Sequence, residues 1–369
     1  MVMPELKKIT IQNFRNIELQ DLGFSPNINC ISGGNGEGKT NLLDAIWYLS
    51  MTKSALSGSD RFNFRYGTDS FSIAGVYDMP GGTVARFGVQ VNASGEKRLR
   101  HGDKAYTRIS EHIGVLPIVM VSPADISMVS ESGEERRKFI NSVLSQMDRG
   151  YLAAVQQYNR LLLQRNRLLK AGIADEDLLG TFDDRLAAAA VPIFERRGAF
   201  CESLLPIVRR YYADISGGRE EVGIEYSSDL QRGDLRDILL RHREKDRVFR
   251  FTTAGIQRDD FIFTMNGHPI RRCGSQGQQK SFLVALKFAQ YEVMKASCGH
   301  PPMMLLDDLF DKLDTSRVGN LLELVADREF GQIFLTDCDR TRTRTIVDAI
   351  TSDRMYIETE GGVFRTVDE

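Results

Sequence analysis

The chain has 369 residues, 42% hydrophobic and 27% charged, which allows two or three domains with a large core and fits an ordinary soluble globular protein. With 48 basic and 50 acidic residues the formal charge is −2, so any nucleic-acid contact must use a local basic face. Cys30, Cys201, Cys273, Cys298 and Cys338 lack metal or C-x-x-C spacing, the N-terminus lacks a signal-peptide core, and no uncharged apolar run is long enough for a bilayer. These features predict a cytoplasmic protein with reduced thiols and no membrane partner.

Residues 6–22 alternate apolar and polar side chains (Ile9, Ile11, Phe14, Ile17, Leu19), predicting a two-stranded hairpin that turns near Asn13-Phe14-Arg15-Asn16. A short strand at 28–31 leads into Gly33-Gly34-Asn35-Gly36-Glu37-Gly38-Lys39-Thr40, a complete G-x-x-x-x-G-K-[ST] sequence, and a helix begins at Asn41. Strand, loop and helix in that order are the context a phosphate loop needs. The glycines let backbone N–H groups face phosphate oxygens, and the helix N-terminus adds further donors. Lys39 is expected to reach the β- and γ-phosphates of ATP, and the Thr40 hydroxyl to ligate Mg²⁺.

Residues 71–121 read as antiparallel β-structure. Strands at 71–77 and 85–91 flank Pro80-Gly81-Gly82, a second turn falls at Asn92-Ala93-Ser94-Gly95, and 118–121 is a buried strand. From Glu134 to about Gly217 helix formers dominate. Leu152, Val155, Tyr158, Leu161, Leu162, Leu168 and Leu169 recur at helical spacing, and a second such helix spans 184–212. Two or three helices predict a short antiparallel arm, and 229–247 a further charged helix. Then follow a strand at 261–265 before Asn266-Gly267, a helix from Ser281 to about Ala296, and buried strands at 303–306 and 333–336.

The strand at 303–306 ends in Asp307-Asp308. With a phosphate loop upstream, Asp307 is expected to hold Mg²⁺ and Asp308 to orient or deprotonate the attacking water. Cys273-Gly274-Ser275-Gln276-Gly277-Gln278-Gln279-Lys280 opens a helix, which is a ready anion site.

Phosphate loop, long gap, Ser-Gln-Gly-Gln at a helix start, then apolar strand with Asp-Asp: this order resembles the ABC-type ATPases. The resemblance narrows to their SMC-like branch and to the RecF family. It is carried by Ile11-Gln12-Asn13-Phe14-Arg15-Asn16, Asn35 to Ile46, Ser122-Pro123, Glu134-Glu135-Arg136-Arg137-Lys138-Phe139, Arg258-Asp259-Asp260, Ser275 to Gln279 and Leu306-Asp307-Asp308. Departures are Glu131-Ser132-Gly133, Gln257, Asp311-Lys312 and Asn141. The resemblance implies an α/β fold: an ABC-type P-loop ATPase head with added antiparallel β-sheet, built from 1–125 and 250–369, and an inserted α-helical arm at 126–249. It implies nucleotide contacts along Gly33, Gly34, Asn35, Gly36, Glu37, Gly38, Lys39, Thr40 and Asn41, with Ser275, Gln276, Gly277 and Gln278 as a signature facing them across a homodimer. Asp314 falls where the family has its D-loop, and Thr336 where transporter members have a switch histidine.

The implied function is a weak DNA-stimulated ATPase. ATP-driven dimerisation would form a DNA clamp at gaps and junctions, working with RecR and RecO to help load RecA and support the SOS response. Candidate DNA contacts are Lys53, Arg61, Arg65, Arg136, Arg137 and Arg165, since guanidinium forks suit phosphates. Base stacking is not expected. The alternative is an ABC-type subunit serving a transporter or a chromosome-structural SMC-like protein.

Overall fold

A computed structural model describes residues 3–131, 133–172, 175–308 and 330–367. Two compact units divide the chain: one of Met1–Asp125, Asp214–Ser216 and Leu283–Glu369, the other of Ile126–Ala213 and Gly217–Phe282.

In the first unit, β1 (Glu5–Phe14) and β2 (Ile17–Gly23) form the expected hairpin. They join β4 (Ser70–Met79), β5 (Thr83–Asn92), β6 (Lys97–His101) and β7 (Lys104–Ala105) in an antiparallel sheet of order β2-β1-β4-β5-β6-β7. Alternate residues such as Ile9, Ile11, Phe71, Ile73, Phe87 and Val89 are buried, as a sheet with one covered face requires. The second sheet has the order β15-β14-β3-β13-β12-β8. From the β8 edge inward it is parallel: β8 (Ile118–Val121), β12 (Met303–Leu306), β13 (Ile333–Asp337) and β3 (Ile28–Ser32). These strands are near-continuous apolar runs because both faces are covered. At the other edge β14 (Arg354–Glu360) runs parallel to β3 and turns back antiparallel into β15 (Val363–Val367). Helix α1 (Lys39–Met51) follows β3 and buries Leu42, Leu43, Ile46 and Leu49.

The second unit carries most of the helix-rich segment. Single-turn α2 (Ser127–Ser130) precedes α3 (Gly133–Met147), α4 (Arg149–Ala171) and α5 (Glu176–Ser216). It is not purely helical. Strands β9 (Val222–Ser227), β10 (Asp260–Met265) and β11 (His268–Pro269) form a sheet of order β11-β10-β9, and the unit extends to Phe282, beyond the expected boundary at 249. The charged helix expected over 229–247 is broken. Asp229–Arg232 is a single turn capped by Ser228 and Gln231, Gly233 sits at φ 140°, and Asp234 caps a new helix, α6 (Leu235–Phe249). Single-turn α7 (Ile270–Cys273) leads to α8 (Gln276–Cys298), which starts five residues before the expected Ser281 and from Leu283 on belongs to the first unit. Near the C-terminus α9 (Arg340–Ile350) follows β13.

His112, fully buried in the first unit, works only as a neutral ring. Nε2–H donates to the Leu49 carbonyl at 2.6 Å, and Nδ1 lies 3.1 Å from the Tyr106 hydroxyl. Burial pushes its pKa down from 6.5 to about 4. The unfolded chain therefore takes up a proton that the folded protein refuses, and stability present above pH 6.5 is lost as pH falls toward 4. The loss should reach about 3 kcal/mol from this group. Urea titrations of wild type and His112→Gln across this range should show a shallower pH dependence in the variant; identical slopes would contradict the assignment.

Candidate nucleotide-binding site

The phosphate loop leaves β3 and enters α1 through two left-handed glycines, Gly36 at φ 84° and Gly38 at φ 106°. Its outer wall is built from elsewhere in the first unit. The Glu37 carbonyl accepts from Asn16 Nδ2 (3.3 Å), the Thr359 hydroxyl (3.0 Å) and the Gly362 N–H (3.0 Å), and the Glu37 carboxylate accepts from the Gly361 N–H. Asn41 Nδ2 donates to Asn16 Oδ1 at 2.7 Å. A Cβ on Gly33 would meet the Thr359 carbonyl oxygen at 2.6 Å, so the close approach of β14 requires glycine there.

Lys39 is buried, and its Nζ donates to the carbonyls of Gly33 (2.8 Å) and Gly34 (3.1 Å) and lies 3.1 Å from Cys338 Sγ. Thr40 Oγ1 lies 3.0 and 3.1 Å from the two carboxylate oxygens of Asp307, and Thr336 Oγ1 lies 2.8 Å from Oδ1 of the same group. Burial raises the Asp307 pKa; the hydroxyls of Thr336 and Thr40, and Lys39, oppose the rise. Asp308 takes a left-handed backbone at φ 43° and donates its N–H to Thr336 Oγ1 at 3.0 Å. A non-glycine residue in that region costs conformational energy, a feature that clusters at functional sites. The Thr40 hydroxyl and a carboxylate side by side are hard oxygen donors suited to Mg²⁺.

Gly33 to Asn41, Asp307 and Asp308 thus meet in the first unit. Thr336, near the end of β13, hydrogen-bonds to Asp307. Cys338, two residues on, reaches Asn35 Oδ1 at 2.9 Å. Asn16, Thr359 and Cys338 were not anticipated as site residues; Asn16 lay within a quoted motif, but nothing local revealed its reach to Glu37.

In the second unit Ser275 is exposed and caps α8. Ser275 Oγ accepts from the Gln278 N–H at 3.3 Å, and Gln278 Oε1 accepts from the Ser275 N–H at 2.7 Å, a reciprocal capping box. Gln276, Gly277 and Gln278 therefore form the first helical turn rather than a loop. Asp314 lies outside the described residues.

The candidate DNA contacts separate. Arg165 is fully buried, bonding Asp183 and Asp246 at 2.7 Å each, and Arg136 grips Asp260 with two bonds of 2.8 and 3.0 Å. Neither can meet a phosphate. Their partners lie 18, 81 and 124 positions away, which is why helical spacing did not reveal them. Arg137 is half-buried on the Asp259 carbonyl. Lys53 and Arg61 are exposed, and Arg65 pairs with Glu18 at 2.8 Å. Contrary to expectation, aromatics do interleave here: Phe62 under Arg61, and Tyr66, are solvent-facing.

A family model described as an AAA domain matches residues 8–172. The chain is 41% identical to DNA replication and repair protein RecF of Bacteroides thetaiotaomicron, over 97% of each protein. The chain belongs to the RecF family. A RecF of Flavobacterium johnsoniae is 40% identical over 93% of this chain and 96% of its own. A solved structure of the recombination mediator protein RecF with ATP, described as in the RecFOR pathway, superposes with a TM-score of 0.90 at 28% identity, covering 99% of this chain and 98% of that one. An Smc head domain from Pyrococcus furiosus, 16% identical with a TM-score of 0.58, shares the fold. The fold is that of an ABC-type, SMC-head-like ATPase. Among the described residues no helix is long and apolar enough to cross a membrane.

Gly33→Ala forces the loop off β14, an overpacking that costs about 1–3 kcal/mol. It is expected to lower both the melting temperature and the affinity for a fluorescent ATP analogue; unchanged binding would show that the close approach is not needed.

Proposed function

We propose that the protein is an ATP-driven DNA-binding switch of replication and recombinational repair. The observation that carries this reading is the junction of Thr40, Asp307 and Thr336, which ties the phosphate-loop helix to the carboxylate that follows β12. Lys39 turns from the loop carbonyls to the β- and γ-phosphates of ATP. Thr40 and Asp307 would hold Mg²⁺, which would supply neutralisation of phosphate charge. Asp308 orients and deprotonates the attacking water, and Asn41 and the loop N–H groups position the phosphates. Ser275 of one copy, with the first turn of α8, faces the γ-phosphate held by Lys39 of a second copy, so ATP favours a homodimer.

In this reading the closed dimer holds DNA at gaps or junctions, with Lys53, Arg61 and Arg65 as head contacts. RecO and RecR are its partners in loading RecA onto single strands and supporting the SOS response, in the cytoplasm. DNA stimulates a slow turnover. A relative described as a recombination mediator of the RecFOR pathway supports these assignments.

Asp308→Asn is expected to bind the fluorescent analogue as wild type does while phosphate release falls about a hundredfold or more. Normal turnover in that variant would remove Asp308 as the base. Lys39→Ala should abolish analogue binding.

A further inference from the structure

In the second unit the chain leaves α6 through Val248-Phe249-Arg250-Phe251. Arg250 takes a left-handed backbone at φ 59°, and the turn is fastened from inside. Thr252 donates its N–H and hydroxyl to Asn166 Oδ1 at 2.8 and 2.7 Å, its Oγ1 also lies 2.9 Å from Arg165, and Asp246 Oδ1 accepts from the N–H and hydroxyl of Thr253 at 2.7 Å each. The buried Arg165 network therefore pins the turn. Facing solvent, Phe249 is 55% and Phe251 41% exposed, with ring centroids 5.9 Å apart. Val248 is 78% exposed, and Leu240 stands two turns back. Arg241, Lys245 and Arg250 are exposed around them, and none has a carboxylate partner among the described residues. Glu244, between the first two, is already paired with Arg247 at 2.7 Å.

We propose that this turn is a contact site for single-stranded DNA: Phe249 and Phe251 receive unpaired bases, and Arg241, Lys245 and Arg250 take the phosphates. The inference rests on the DNA-binding reading above and specifies where unpaired strand is held. Cations without partners beside open ring faces suit a phosphodiester chain, and stacking requires bases not already stacked in a duplex. A purely apolar partner would leave three charges to be desolvated without compensation. Val248 and Leu240 widen the apolar floor for sugars and base edges.

The test is fluorescence anisotropy of a labelled oligo-dT and of a labelled blunt duplex, on wild type, Phe249→Ala/Phe251→Ala and Arg241→Gln/Lys245→Gln, each checked by thermal melting. The Phe variant should lose about tenfold or more in oligo-dT affinity while duplex affinity and melting stay unchanged. The charge variant should reduce the salt slope for oligo-dT by about 1.4. Oligo-dT affinity unchanged in the Phe variant, with wild type binding duplex in ATP, overturns this site alone. So does loss of binding to purified RecR or RecO with oligo-dT affinity intact, which would make the surface a dock for an acidic polypeptide. A wild type that binds neither DNA overturns both readings.

Discussion

The nucleotide site depends on one buried carboxylate. Asp307 directly follows β12 in an environment that disfavours its charge, and only the hydroxyls of Thr40 and Thr336 lie within hydrogen-bond reach of its oxygens among the described residues. Those two donors come from the start of α1 and from β13, so satisfying one carboxylate fixes the helix and two strands in mutual register. A buried carboxylate left charged without such donors would cost several kcal/mol, so the two hydroxyls are what let Asp307 keep its charge there. Asp308, held at an unusual backbone angle by its bond to Thr336, inherits its place from the same cluster.

The loop itself gets its shape from outside. Three donors converge on the Glu37 carbonyl, two of them from β14 and the turn that follows it, and Asn16 bridges Glu37 to Asn41. A segment more than 300 residues downstream thus sets the opening of the glycine-rich loop. In the second unit buried ion pairs do comparable work. Arg165 and Arg243 with Asp183 and Asp246, and Arg197 with Asp259, are matched charges largely out of water, where loss of one partner is far costlier than the pair is beneficial.

What could be read in the sequence followed the range of the interaction. The phosphate loop, the hairpin at 5–23 and the apolar strands around positions 120, 305 and 335 carry local signals, and all are present. Strand β9 alternates Val222, Ile224 and Tyr226, yet its partner β10 begins 33 positions after Ser227, so no local signal marks it as part of a sheet, and the segment carries no expectation. The terminal α9, β14 and β15 drew no expectation, although they support the loop. Surface and core arginines look alike along a helix; only carboxylates far away in the chain decide which is which. The helix start at Gln276 was readable in principle, since Ser275-Gln276-Gly277-Gln278 has capping-box spacing.

The central claim is that a complete site needs Lys39 from one copy and Ser275 from another. The most direct measurement mixes Lys39→Ala with Ser275→Arg protein and follows phosphate release and mass by light scattering in ATP and Mg²⁺. Each variant alone should be monomeric and inactive, and the mixture should form dimers with one intact site and recover part of the wild-type rate. An inactive, monomeric mixture, or full activity of Ser275→Arg by itself, would contradict a site shared between two copies.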